Sequence, residues 1–69
     1  MKPKMLSYDA SDFGWEPGFW PTQFADHHTT GDVTFNRMYA IRERGEFCGF
    51  VYEGFDESGT KIIFKIWND

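Results

Sequence analysis

The sequence predicts a small α+β or mostly β domain, a three-stranded antiparallel meander covered on one face by an irregular, aromatic N-terminal segment with little helix. Three observations carry this expectation. From Asp32 onward apolar and polar residues alternate with the two-residue period of strands. The segments Arg42-Glu43-Arg44-Gly45-Glu46 and Asp56-Glu57-Ser58-Gly59-Thr60 both place glycine fourth in a five-residue connection, as hairpin loops do. Residues 1–31 hold all 3 prolines and sustain neither strand nor helix period. A chain of 69 residues is expected to form one domain, with 1–31 as the covering segment and 32–69 as the meander. Such a chain buries only about 60% of the surface its unfolded form exposes, so its core must be rich in large side chains. The 8 Phe, 3 Trp and 3 Tyr meet that need.

In chain order, Lys4 to Tyr8 suits a short strand. The run Phe13-Gly14-Trp15-Glu16-Pro17-Gly18-Phe19-Trp20-Pro21 is interrupted too often by glycine and proline for a long helix, and at most a helical turn or two is expected to begin at Pro21. Asp26 to Asp32 reads as a polar loop with Thr, Gly and Asp turn chemistry. If both hairpins use a three-residue loop, Tyr52 faces Phe64, Phe50 faces Ile66 and Gly49 faces Trp67. On the other side Ile41 faces Phe47, Tyr39 faces Gly49 and Arg37 faces Val51. Gly45 and Gly59 then take positive φ, which glycine adopts without a Cβ penalty.

Sorting by side-chain period gives two faces. Thr34, Asn36, Met38, Ala40, Cys48, Phe50, Tyr52, Gly54, Ile62, Phe64 and Ile66 form the expected core face, with no charge on it. Val33, Phe35, Arg37, Tyr39, Ile41, Phe47, Gly49, Val51, Glu53, Phe55, Lys61, Ile63, Lys65 and Trp67 form the second face. A sheet with one wet side alternates cleanly, and this one does not.

No catalytic or cofactor signature is present, so no enzyme activity, cofactor or metal is expected. Cys48 is the single cysteine, which leaves no internal disulfide and no zinc-finger spacing; it is read as a core residue. His27 and His28 are adjacent, and neighbouring side chains on an extended chain point apart, so both would reach one ion only through an unusual turn. They are read as loop residues, with a pH-sensitive partner contact as the alternative. The net charge of −4 disfavours nucleic acid, although Arg37, Lys61 and Lys65 interleaved with Phe35, Tyr39, Phe47 and Trp67 have the composition of a base-stacking sheet. The sequence has no signal-peptide pattern and no spanning apolar run, so a cytoplasmic protein without membrane contact is expected.

The expected function is non-catalytic interaction with a larger protein or protein complex. Its expected partner-binding residues are Phe35, Arg37, Tyr39, Lys65 and Trp67 on the second face, with Trp15 and Trp20 from the proline-punctuated aromatic loop. A structural subunit or homodimer that buries the second face is the alternative, and single-stranded nucleic-acid binding is the further one. In size, charge and character the chain resembles the small accessory proteins of phages and mobile elements, including anti-CRISPR inhibitors of host defence. That resemblance is one of general type and implies a role in binding and occluding a host macromolecule.

Overall fold

Residues 2–13 and 23–68 are described by a computed structural model of the chain. The fold is mostly β: β1 (Lys4–Asp9), a single helical turn α1 (Ala10–Phe13), β2 (Phe24–Ala25), β3 (Asp32–Glu43), β4 (Glu46–Phe55) and β5 (Lys61–Trp67). The strands form one mixed sheet in the order β1-β5-β4-β3-β2. The expected three-stranded meander under an irregular cover is therefore replaced by five strands. The N-terminal third supplies both edges, β1 running parallel to β5 and β2 antiparallel to β3.

The β4–β5 pairing matches the sequence-derived register, with Tyr52 opposite Phe64, Phe50 opposite Ile66 and Gly49 opposite Trp67. In its loop Asp56 N–H donates to the Thr60 carbonyl at 3.0 Å, and Gly59 has φ +85°. Asp56 anchors this turn. One carboxylate oxygen accepts from the Ser58 hydroxyl (2.7 Å), the Ser58 N–H (3.0 Å) and the Thr60 N–H (3.0 Å), while the other accepts from the Thr30 N–H (3.2 Å). The Ser58 hydroxyl leads the interactions that hold this buried carboxyl below the usual carboxylate range against the opposing effect of burial.

The β3–β4 register departs from expectation by two residues, because Tyr39 lies opposite Val51 and Ile41 opposite Gly49. The turn holds two residues rather than three. Arg44 and Gly45 have φ of 53° and 81°, the paired left-handed conformation whose twist suits a two-residue hairpin. Two β-bulges then interrupt the pairing. Between Phe35 and Arg37, β3 carries Asn36 as an extra residue, and between Phe47 and Gly49, β4 carries Cys48. At the second bulge Gly49 has φ +150°, and a Cβ there would sit 2.0 Å from the Ile66 carbonyl oxygen, so only glycine fits.

The bulge at Asn36 changes which side chains face inward. Thr34 and Asn36, expected in the core, are exposed. Val33 and Phe35, expected on the second face, are 0% and 5% exposed and belong to the core. Past Cys48 the second bulge moves Phe47 off the outer face to the side of Phe50, whose ring lies 5.1 Å away, but Phe47 itself stays exposed. Cys48 itself is half-buried and lies outside the main core cluster.

Bulges strengthen twist, and here the sheet curls until its two edges meet. Tyr8 of β1 packs edge-on against Phe24 of β2 with centroids 6.3 Å apart, its hydroxyl donates to Asp26, and Lys4 Nζ donates to the His28 carbonyl at 2.8 Å. The interior so enclosed holds Leu6, Ala10, Val33, Phe35, Tyr52, Ile62, Phe64 and Ile66. The second face is the outside of the curl. Among the described residues no helix is long and apolar enough to cross a membrane. The helical turn expected at Pro21, Trp15, Trp20 and the rest of that aromatic loop lie outside the described residues.

Phe35→Ala should cost about 3–5 kcal/mol in urea unfolding, the usual loss for a buried phenylalanine, whereas Phe55→Ala on the outer face should change stability by no more than about 0.5 kcal/mol. Equal losses would show that the bulge at Asn36 is misplaced. Arg44→Asn should raise the unfolding midpoint, because asparagine tolerates the left-handed conformation that arginine adopts here at a steric cost.

Candidate functional site

The residues opposite one another across the sheet divide its outer face into rows. Arg37, Glu53, Ile63 and Met5 form one row, Tyr39, Val51, Lys65 and Ser7 the next, and Ile41, Gly49, Trp67 and Asp9 a third. Thr34, Phe55 and Lys61 form a fourth on the far side of the Arg37 row. The structure thus brings four expected partner-binding residues, Arg37, Tyr39, Lys65 and Trp67, onto adjacent rows of one face. It removes Phe35, whose side chain the Asn36 bulge turns into the core.

This face is built around a carboxylate. Glu53 is only 9% exposed, yet it lies beside polar partners on both flanking strands. The Tyr39 hydroxyl donates to it from β3, and Lys61 Nζ approaches to 3.2 Å from β5. The Tyr39 hydrogen bond leads the causes that lower its pKa, and Lys61 and Arg37 add to it against the opposing cost of burial. The same bond to Glu53 is the largest cause raising the Tyr39 pKa. One hydrogen bond therefore stabilises the proton on Tyr39 and the charge on Glu53, and fixes the ring's tilt on the surface.

Around that anchor the remaining cations lie against rings. The Arg37 guanidinium carbon is 5.2 Å from the Tyr39 ring centroid, and Lys65 Nζ is 5.9 Å from that of Trp67. Trp67 is oriented in turn by its indole N–H, which donates to the Ser7 hydroxyl at 2.7 Å. Among the described residues neither Arg37 nor Lys65 has a carboxylate within ion-pair distance. Val51 beneath them is 3% exposed, while Tyr39, Phe55 and Met5 remain open to solvent at 42, 48 and 60%. Met5 and Phe55 extend the site beyond the residues expected from sequence. The signal for Met5 was the alternation Lys4-Met5-Leu6-Ser7-Tyr8, in which Leu6 and Tyr8 point inward.

Of the four rings expected to stack bases, only Tyr39 and Trp67 lie on this face, and one of its three cations, Lys61, is paired with Glu53. A second group lies apart, where the sheet edges meet. Asp26, His27 and His28 each offer a donor atom, all within 4.8 Å of one another, beside a cleft of about 530 Å³. The Tyr8 phenol bonded to Asp26 is raised to about 12, chiefly by burial and then by that carboxylate.

Glu53→Gln should lower stability at neutral pH, because the amide cannot replace the charge that faces Lys61 and Arg37. Since the Glu53 pKa lies below its ordinary 4.5, this contribution is whole above that value and is lost as pH falls through the lower folded-state pKa. Urea unfolding of both proteins across the acid range should therefore show their stabilities converging. A gap independent of pH would refute the assignment.

Comparison with protein-family models, curated proteins and solved structures finds no match for the chain.

Proposed function

We propose that the chain is a non-catalytic interaction domain that docks on a larger protein through the outer face of its sheet and occludes the surface it covers. The role is of the kind played by the small accessory and anti-defence proteins of phages and mobile elements. The observation that supports this reading is the pairing of oriented aromatic surface with cations that, among the described residues, have no carboxylate within ion-pair distance. Tyr39 is held by Glu53 and flanked by Arg37, and Trp67 is held by Ser7 and flanked by Lys65. Tyrosine, tryptophan and arginine are the residues that most often dominate binding energy, and rings already fixed lose little freedom on docking.

Charge favours a different protein over a second copy of this chain. The chain carries a net −4, yet the rows of its outer face present Arg37 and Lys65 against one exposed carboxylate, Asp9, while Glu53 is buried and already paired. Two such faces pressed together would bring like charges into a desolvated contact, whereas an acidic rim around an apolar patch would complement them. Nucleic acid fits less well, since the face retains two stacking rings on a strongly acidic chain.

Lys65→Glu should leave the unfolding midpoint nearly unchanged and abolish capture of the partner by the tagged chain. Arg37→Gln should weaken capture without the cost of charge reversal, because Arg37 lies directly opposite Glu53 and a carboxylate there would face a buried one. Lys2→Glu, outside the rows of the face, serves as the control. Capture that survives both outer-face variants, or a wild-type chain that sediments as a dimer at micromolar concentration, would overturn the proposal.

A further inference from the structure

We propose that Asp26, His27 and His28 form a binding site for a divalent cation of the zinc class, at the seam where the two edges of the curled sheet meet. Adjacent histidines serve one ion only if the chain turns sharply at that point, and the structure supplies the turn. The Thr29 N–H donates to the Asp26 carbonyl at 3.0 Å, closing a turn with His27 and His28 as its two central residues. The Asp26 N–H donates back to the Thr29 hydroxyl oxygen at 3.2 Å. The imidazoles consequently lie on the same side, with ring centroids 3.8 Å apart, and His27 Nδ1 is 3.5 Å from Asp26 Oδ1.

The donor set suits zinc chemically. Two imidazoles and a carboxylate match a three-protein-ligand site that leaves a fourth position open, with metal bonds of about 2.0–2.2 Å. Tetrahedral bonds of that length separate neighbouring donors by roughly 3.5 Å, so donors already within 4.8 Å need only a small closure. His27, with 80% of its side chain exposed, is free to make it, while the 10% exposed Asp26 is the fixed point.

What makes Asp26 a fixed point lies outside the turn. Tyr8, reaching from β1, donates its hydroxyl to Oδ2, and the His28 N–H donates to Oδ1 at 2.8 Å. A ligating carboxylate oriented in this way by a neighbour is a recurring feature of metal sites. Lys4, a cation among the residues lining the adjoining cleft, directs its ammonium to the His28 carbonyl at 2.8 Å. An ion on Asp26, His27 and His28 would therefore brace the turn against β1 and tighten closure of the sheet.

Calorimetric titration of the intact chain with zinc chloride tests this, with the unfolding midpoint followed in parallel. Saturable binding at one ion per chain is expected, with a midpoint that rises with zinc concentration as ligand linkage requires. His27→Ala and His28→Ala should each weaken binding by at least about tenfold, and Tyr8→Phe, which touches no metal, by about 10- to 100-fold. The two histidine variants carry the test, because their exposed rings can be removed without loss of the fold, which circular dichroism verifies. Zinc affinity unchanged in both variants, or no saturable binding to the wild type, would overturn the proposal.

Discussion

The fold depends on the contacts of one ring. Phe64, on β5, is fully buried and meets a ring from each of the other four strands: Tyr8 of β1 at 5.3 Å, Phe24 of β2 at 4.6 Å, Phe35 of β3 at 5.8 Å and Tyr52 of β4 at 6.1 Å. In a flat sheet the contact with Phe24 could not occur alongside that with Tyr8. Strands β5 and β2 are three positions apart in the sheet, so a planar arrangement would separate them by about 14 Å at the usual spacing of about 4.8 Å. The contact between Phe24 and Phe64 exists only because the sheet curls. Everything that lets it curl, including the glycine and the extra residues at the bulges, is a condition for burying Phe64.

That requirement also explains which parts of the structure were legible in the sequence. The β4–β5 register could be read because a single glycine-bearing turn connects two stretches, Gly49 to Phe55 and Lys61 to Trp67, that pair without interruption. The β3–β4 turn could not be read from glycine placement alone, since Glu43-Arg44-Gly45 and Arg44-Gly45 are both acceptable loops that differ by one residue in register, and the extra residue Cys48 adds the second. A phase change in the apolar pattern was visible on β3. Val33 and Phe35 occupy odd positions while inward-facing Met38 occupies an even one, so an extra residue must lie between them, and Asn36 is that residue. Reading the strand as regular placed Phe35 on the outer face, which is the cost of missing the bulge. The parallel pairing of β1 with β5 joins residues about 58 apart in the chain, and no local signal announces such a partner.

The candidate site was more legible than the fold around it. Arg37, Tyr39, Lys65 and Trp67 all follow the Asn36 bulge or lie on β5, where alternation is undisturbed, so their common face survives both register corrections. What sequence could not show is their organisation by Glu53. A carboxylate among apolar neighbours reads as an interruption, but in the structure it binds a hydroxyl from one flanking strand and an ammonium from the other. Because Glu53 is satisfied internally, the rows of this face present Arg37 and Lys65 to solvent against one exposed carboxylate, Asp9, on a chain that is acidic as a whole.

Asp56 and Asp26 organise the loops in a comparable way. Each sits in a turn and collects hydrogen bonds that cross between parts of the chain distant in sequence. Asp56 ties the β4–β5 turn to Thr30, and Glu57 reinforces that junction by donating its N–H to the Thr30 carbonyl and accepting from the Asp32 N–H at 3.1 Å. Asp26 ties the following turn to β1 through Tyr8. The sheet's two edges share no backbone ladder among the described residues, and β2 contributes only two residues. Closure at the seam therefore rests on aromatic packing and these side-chain bonds, which makes the seam the place where a small ligand can most readily change stability. The rows of the outer face from Arg37 to Ile41 lie between the two bulges, where β3, β4 and β5 pair without interruption, so less of their order depends on side-chain contacts alone.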